Sequence, residues 1–220
     1  MITREADLML SARANLYAFV SAMFSMPDSR KFQLLYDPAF HERVELSCCL
    51  LDQFPDDSNL SSAAENLFSF LRHLDDIEEE YGQVFGHTLS KDTAPYELEF
   101  LKNKETFSLT QTLADIQGFY RAFGLEVGQE ERGDYVATEA EFMSFLIFKE
   151  KLAVEKGKAE NADICREAQR DFLKEHLSGW AFIWLENVLS HPAAQFYRAT
   201  AHFTRYFLKW EFRHSYRESI

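Results

Sequence analysis

Apolar residues recur at intervals of three and four along most of the chain, the spacing that lines one face of an α-helix. Ala12, Leu16, Phe19, Val20 and Met23 form the first such face, and Pro27 ends it. The stretch from Lys31 to Leu51 carries Phe32, Leu35, Phe40 and Val44, is broken by Pro38 and closes at Pro55. Asp56, Asp57, Ser58 and Asn59 read as a turn that supplies an N-cap for the next helix. That helix shows Leu60, Ala63, Ala64, Leu67, Phe68, Leu71 and Leu74, and is expected to run on through an acidic stretch to Tyr81, Val84 and Phe85, with Gly86 as its stop.

From Gly86 to about Phe107 the helical period is lost, in a loop holding His87, Lys91, Asp92, Pro95, Lys102 and Lys104. Irregular stretches of that length in a compact domain are usually functional or mobile. Helix returns with Ser108 and Gln111 in capping-box spacing, then Leu109, Leu113, Ile116, Tyr120 and Phe123, with Gly124 as the stop. The connection from Leu125 to Gly133 is polar, with Glu126, Gln129, Glu130, Glu131 and Arg132, and reads as a hinge. Asp134 is placed to cap a helix carrying Ala137, Ala140, Met143, Leu146 and Ile147, which is expected to fray between Glu150 and Lys158 around Gly157. Three more helices follow, about Ala162 to Leu177, about Trp180 to Leu189, and about Ala193 to Arg213 after His191-Pro192; the last carries Phe196, Ala199, Thr200, Phe203, Phe207 and Trp210 on one face. No run alternates with period two for long enough to form a strand, and there are no internal repeats. The expected fold is all-α, one globular body of about seven to nine helices. A hinge at about 125–134 would separate an N-terminal half, about 1–124, from a C-terminal half, about 135–220.

Composition agrees. Eight Gly and five Pro in 220 residues fall below the roughly 7% and 5% of ordinary chains, and scarce turn residues imply long helices. The length suits one domain or two tightly joined ones at about 100–200 residues each. With 23 Lys+Arg against 36 Asp+Glu the net charge is −13. That excess argues against nucleic acid or anionic lipid and suits a cationic partner, or simply solubility. Met1 to Phe24 begins with mixed charge and has no continuous apolar run, so a secretory leader and a membrane span are not expected and the cytoplasm is. Cys48, Cys49 and Cys165 form neither a CxxC pair nor an even set and are expected to be buried, reduced thiols.

Seven histidines raise the question of a metal, but Glu211-x-x-His214 is the single copy of a pattern that a di-iron bundle needs twice, so no metal is expected. GxSxG, Walker A, GxGxxG, HExxH and CxxCH are absent, and nothing points to a cofactor. An enzyme with a triad assembled in space stays open. Acidic residues cluster beside aromatic ones. Asp75, Asp76, Glu78, Glu79 and Glu80 read as a solvated helix face. The segments around Tyr96, Glu97 and Glu99, and around Asp134 with Glu126, Glu130, Glu131, Glu139 and Glu141, are open between a solvated loop and a binding surface. Pro95 stiffens the chain beside Tyr96 and Glu97, where an aromatic ring offers apolar contact and a carboxylate pairs with a guanidinium, the chemistry of peptide capture.

Ala94-Pro95-Tyr96-Glu97-Leu98-Glu99-Phe100 resembles the PYExxY-type motif of the TorD/DmsD/NarJ redox-enzyme maturation chaperones, also described as the TorD-like or nitrate reductase delta-subunit family. Gly133-Asp134-Tyr135-Val136-Ala137-Thr138-Glu139-Ala140-Glu141-Phe142-Met143 resembles that family's PDHxxxELEFM stretch, with Gly and Tyr where the family has Pro and His. The helix from Ala114 to Leu125 and the pattern His176-Leu177, Trp180, Phe182, Pro192, Phe196-Tyr197 and Leu208 are similar too. The resemblance implies a chaperone without catalytic chemistry. Such a chaperone binds the twin-arginine signal peptide and apo-form of a molybdopterin-containing oxidoreductase, supports cofactor insertion and withholds export until then. On that reading Glu97, Asp134 and Glu139 would pair with the arginines, and Tyr96, Phe100, Tyr135 and Phe142 would cover apolar leader residues. The partners are the leader and the apo-catalytic subunit, and the protein would be a monomer or a dimer swapped at the hinge. An assembly subunit retained in the reductase complex is the alternative. Nucleotide binding has little support without a phosphate-cradling glycine loop.

Overall fold

Segments with one apolar face each, and no strand partners to cover it, must hide those faces against one another. The computed structural model describes residues 4–54, 59–71, 76–86, 92–102, 104–128 and 131–215. Asp56, Asp57, Ser58, Leu74, Asp75, His87, Lys91, Gln129 and Glu130 lie outside the described residues. Among the described residues the chain is all-α: α1 (Arg4–Phe24), a single turn α2 (Arg30–Gln33), α3 (Pro38–Leu51), α4 (Leu60–Leu71), α5 (Ile77–Phe85), α6 (Thr106–Ala122), α7 (Val136–Glu155), α8 (Ala159–Phe172), α9 (Ser178–Ser190) and α10 (Phe196–Ser215). None of these helices is long and apolar enough to cross a membrane.

α1 is the axis of the body. It packs against α7 and α3 and touches α10, and its expected face of Leu16, Phe19, Val20 and Met23 is fully buried. Rings interlock edge to face around it: Phe19 meets Phe203 at 5.1 Å and Phe24 meets Trp184 at 4.7 Å between centroids. Local chemistry sets the ends. Asp37 accepts from the Ala39 N–H at 2.9 Å ahead of Pro38 at the first helical position, so Pro38 opens α3. Asn59 caps α4 through the Ser62 N–H at 2.9 Å. Gly124 takes φ +74 and closes α6 with paired bonds, Leu125 N–H to Tyr120 O and Gly124 N–H to Arg121 O, both 2.9 Å.

Cys48 and Cys165 are buried as expected, but Cys49, next along α3, is exposed because it falls on the helix face turned away from the core. Several boundaries also differ from the pattern reading. The single helix expected from Leu60 to Phe85 is two, α4 and α5, because the helix restarts after Asp76. α6 begins at Thr106, so Ser108 lies inside its first turn. α7 does not fray at Glu150 but continues to Glu155, since Glu150 and Ala153 are buried and Arg166 and Gln169 of α8 hold the Glu150 carboxylate. The break expected between Leu177 and Trp180 is a π-helical turn, Leu173–Leu177, that carries α8 directly into α9.

Glu80 departs from the solvated face expected of its acidic stretch. It is buried, and its carboxylate accepts the backbone N–H groups of Gln195, Phe196 and Tyr197 at 2.7, 3.2 and 2.9 Å. These are donors that open α10 and have no partner within the helix, and the negative charge complements the helix dipole. Glu80→Ala is expected to cost about 2–3 kcal/mol in urea denaturation by stranding those donors. The exposed neighbour variant Glu79→Ala should stay within about 0.5 kcal/mol of the parent. Equal stability of the two variants would remove Glu80 from this role.

Candidate functional site

The two motif segments meet. Tyr96 and Tyr135 form an isolated antiparallel bridge, with the Glu97 N–H on Asp134 O at 2.9 Å and the Val136 N–H on Pro95 O at 3.0 Å. Pro95 disfavours helix at Ala94, and the Tyr96 N–H turns back onto Ala94 O at 2.9 Å, leaving Pro95 O to the Val136 N–H. The two tyrosine rings lie 5.4 Å apart. The Tyr135 hydroxyl donates to Phe24 O at the end of α1 and accepts from Tyr81 at 3.1 Å, so the bridge is anchored on the central helix.

Asp134, 1% exposed, does not cap α7. Its two oxygens accept from Arg132 Nε at 2.9 Å and a terminal Arg132 nitrogen at 2.7 Å, and one also faces the Leu98 N–H at 3.3 Å. The Arg132 guanidinium lies 4.0 Å over the Tyr96 ring. Its bond to Asp134 raises its already high pKa. Glu97, 3% exposed, has both oxygens 3.2 Å from His176 Nδ1 on the π-helical turn. Asp115 lies 3.5 Å from the other nitrogen of that ring.

Glu139 is fully buried, and neither of its oxygens has a hydrogen-bond partner. Burial first, and the neighbouring Glu97 next, push its carboxyl well above the ordinary 4.5. Tyr120 joins this cluster, donating to Gly133 O at 2.7 Å. Burial, then Glu139, Glu97 and Asp134, hold its phenol protonated far above the usual range. Phe100 packs on Trp180 at 5.6 Å, and Phe142 on Tyr120 at 4.7 Å and Phe172 at 4.9 Å.

Beyond Tyr120 a groove of about 470 Å³ opens between Leu125, Glu126, Val127 and Glu131 on one side and α7 on the other, a size within the range of about 300–1,000 Å³ typical of ligand pockets. Phe142, Phe145 and Phe148 form its floor with Tyr120, Leu125 and Val127, and Glu126, Glu131 and Glu141 stand at its rim. Phe148 is half exposed.

The structure thus brings Tyr96, Glu97, Asp134 and Tyr135 together, buries Glu139 close to Glu97 and Asp134, packs Phe100 against Trp180 and places Phe142 on the groove. The pattern reading missed Arg132, His176, Trp180, Phe145 and Phe148. A second stripe on α7, Phe142-Phe145-Phe148 at spacing three, is visible in the sequence beside the buried stripe. Nothing in the sequence pairs His176 with Glu97, 79 positions away.

A groove with an aromatic floor and an acid rim, on an all-helical body braced by buried polar contacts, defines a helical binding scaffold. The chain belongs to the nitrate reductase delta subunit family, whose model matches residues 55–186, more than half of the chain. It is 37% identical over 89 residues to the perchlorate reductase assembly chaperone protein of Dechloromonas aromatica (strain RCB), covering 40% of this chain and 39% of that one. Over 81 residues it is 32% identical to the selenate reductase assembly chaperone protein of Thauera selenatis, 36% of this chain and 41% of that one. Over 106 residues it is 30% identical to the chlorate reductase assembly chaperone protein of Ideonella dechloratans, 47% and 53%. The chain thus spans about half or less of the length of these curated relatives.

The raised Glu139 carboxyl contributes a pH dependence to stability. As pH rises past 4.5 the unfolded chain releases this proton before the folded protein does, so stability falls from there toward neutrality. Glu139→Gln removes that loss. At pH 7 the variant should melt ~2–4 °C higher than the parent for each kcal/mol recovered, with the gap closing toward pH 4.5. Parallel melting curves across this range would assign the ionisation elsewhere.

Proposed function

We propose that this protein is an assembly chaperone that binds the twin-arginine leader and the apo-form of a molybdopterin-containing oxidoreductase, holding both until the cofactor is inserted. Acting before export places its work in the cytoplasm, and the role needs no cofactor and no catalysis by the chaperone. Family membership and the names of the three relatives, each a reductase assembly chaperone, support this reading. The observation that carries it is the acid-rimmed aromatic groove.

A twin-arginine leader has a cationic front and an apolar middle. Phe142, Phe145 and Phe148 would receive the apolar part, while Glu126 and Glu131 on the rim, and Asp134 with Tyr96 beside it, would meet guanidinium groups. Tyr135 positions Tyr96 by ring contact. Glu97 and Glu139 are buried and would shape this surface from beneath, since Glu97 is engaged by His176 and Glu139 has no exposed edge, while Phe100, partly exposed on Trp180, would flank it. The chain's net charge of −13 favours such a partner at long range. A leader that orders on binding gives up entropy, so affinity stays modest and release to export stays fast.

Titration calorimetry with a synthetic leader carrying an arginine pair and an apolar stretch should give micromolar binding that weakens as salt rises. Combining Phe145→Ala with Phe148→Ala should weaken it ~10-fold or more. Glu126→Gln with Glu131→Gln should flatten the salt dependence. Failure of both the leader and the apo-reductase to bind at micromolar concentration would end this reading.

A further inference from the structure

The Arg132–Asp134 pair is unusual for a buried carboxylate because the two residues are two positions apart and their ion pair ties no distant elements together. The links from this segment to the Tyr96 loop are made by other atoms: Asp134 O with the Glu97 N–H, Pro95 O with the Val136 N–H, and an Asp134 oxygen with the Leu98 N–H. What Arg132 adds is a fork on the carboxylate and a flat cation on the Tyr96 ring. The Arg132 side chain is 42% exposed, whereas Asp134 is 1% exposed. Negative charge from Glu99 adds to the attraction. A buried carboxylate in fork geometry beneath an aromatic face is a seat for a guanidinium, which offers paired donors and a plane where an ammonium offers only a point charge.

We propose that Arg132 is a resident plug in this seat, exchanged for an arginine of the incoming leader, which takes over both the Asp134 fork and the Tyr96 face while Arg132 turns into solvent. The client's identity comes from the proposed function; the seat stands on the contacts above. Exchange of one guanidinium for another never leaves Asp134 buried and unpaired, which would be strongly unfavourable. It also makes binding at this seat nearly neutral in free energy, so the rest of the leader decides affinity and the chaperone recloses as the client leaves. Because the seat rewards fork geometry, it selects arginine over lysine in the client.

Arg132→Gln tests this in two ways. The variant should melt below the parent, and millimolar ethylguanidinium should restore it where ethylammonium at the same concentration does not; the parent should respond to neither. It should also bind the arginine leader ~10-fold more tightly than the parent, a gain lost when the leader's arginines are replaced by lysine. An Arg132→Gln variant that ignores ethylguanidinium and binds the leader no better than the parent overturns the plug. Should Arg132→Gln not fold, Arg132→Lys serves the same purpose: its ammonium yields the seat more easily, so it should bind the arginine leader more tightly, and affinity equal to the parent's overturns the plug. Rescue by ethylguanidinium without leader binding by any form supports the seat and overturns the leader reading alone.

Discussion

Six carboxylates are buried among the described residues, Glu80, Glu97, Asp134, Glu139, Glu150 and Glu211, and the structure depends on how each is met. A carboxylate taken out of water without partners costs several kcal/mol in effective terms, about as much as a whole domain's margin of stability. Five of the six are answered by contacts that tie the fold together or shape the site. Glu80 caps α10, Glu97 meets His176, Asp134 meets Arg132, and Glu150 is held by Arg166 and Gln169. Glu211 is forked by Arg13 at 2.7 and 2.9 Å, and Arg13 reaches Gln169 as well, so α1, α7, α8 and α10 share one polar network. The Glu211-x-x-His214 pattern thus serves this network, while the His214 ring stacks on Trp210 at 4.0 Å.

Glu139 is the exception, buried close to Glu97 and Asp134. Keeping its proton is the fold's answer to having no partner there. Around it the site divides into a buried part and an exposed one. The Glu97–His176 contact on the π-helical turn is buried, whereas Arg132, Glu126, Glu131 and Phe148 are exposed. The tyrosine bridge couples this surface to the centre of the molecule, since the Tyr135 hydroxyl ends on the last residue of α1.

Helix existence was legible wherever the three-and-four spacing was unbroken, as in α1 and α10, because one buried stripe per helix is a local property of the sequence. Helix ends were legible where a cap is local, as at Gly124 and Asn59. They were misread where the deciding contact is remote: α7 outlasts its charged stretch because α8 covers Glu150, and α8 runs into α9 through a turn no residue type announces. At the site, the aromatic and acidic character of the 95–100 and 134–142 stretches was readable. Their adjacency, and the internal partners already holding Glu97 and Asp134, were not.

The sequence by itself determined an all-helical chain, its acidic balance and the two segments that carry the site, since periodicity, charge and turn residues act over a few positions. Tertiary structure alone decided which carboxylates lost their water and which side chain answered each one. Burial is a property of everything packed around a group, and Glu79 and Glu80, neighbours in one helix, end in opposite surroundings: Glu79 faces solvent and bonds Gln83, while Glu80 closes the start of α10.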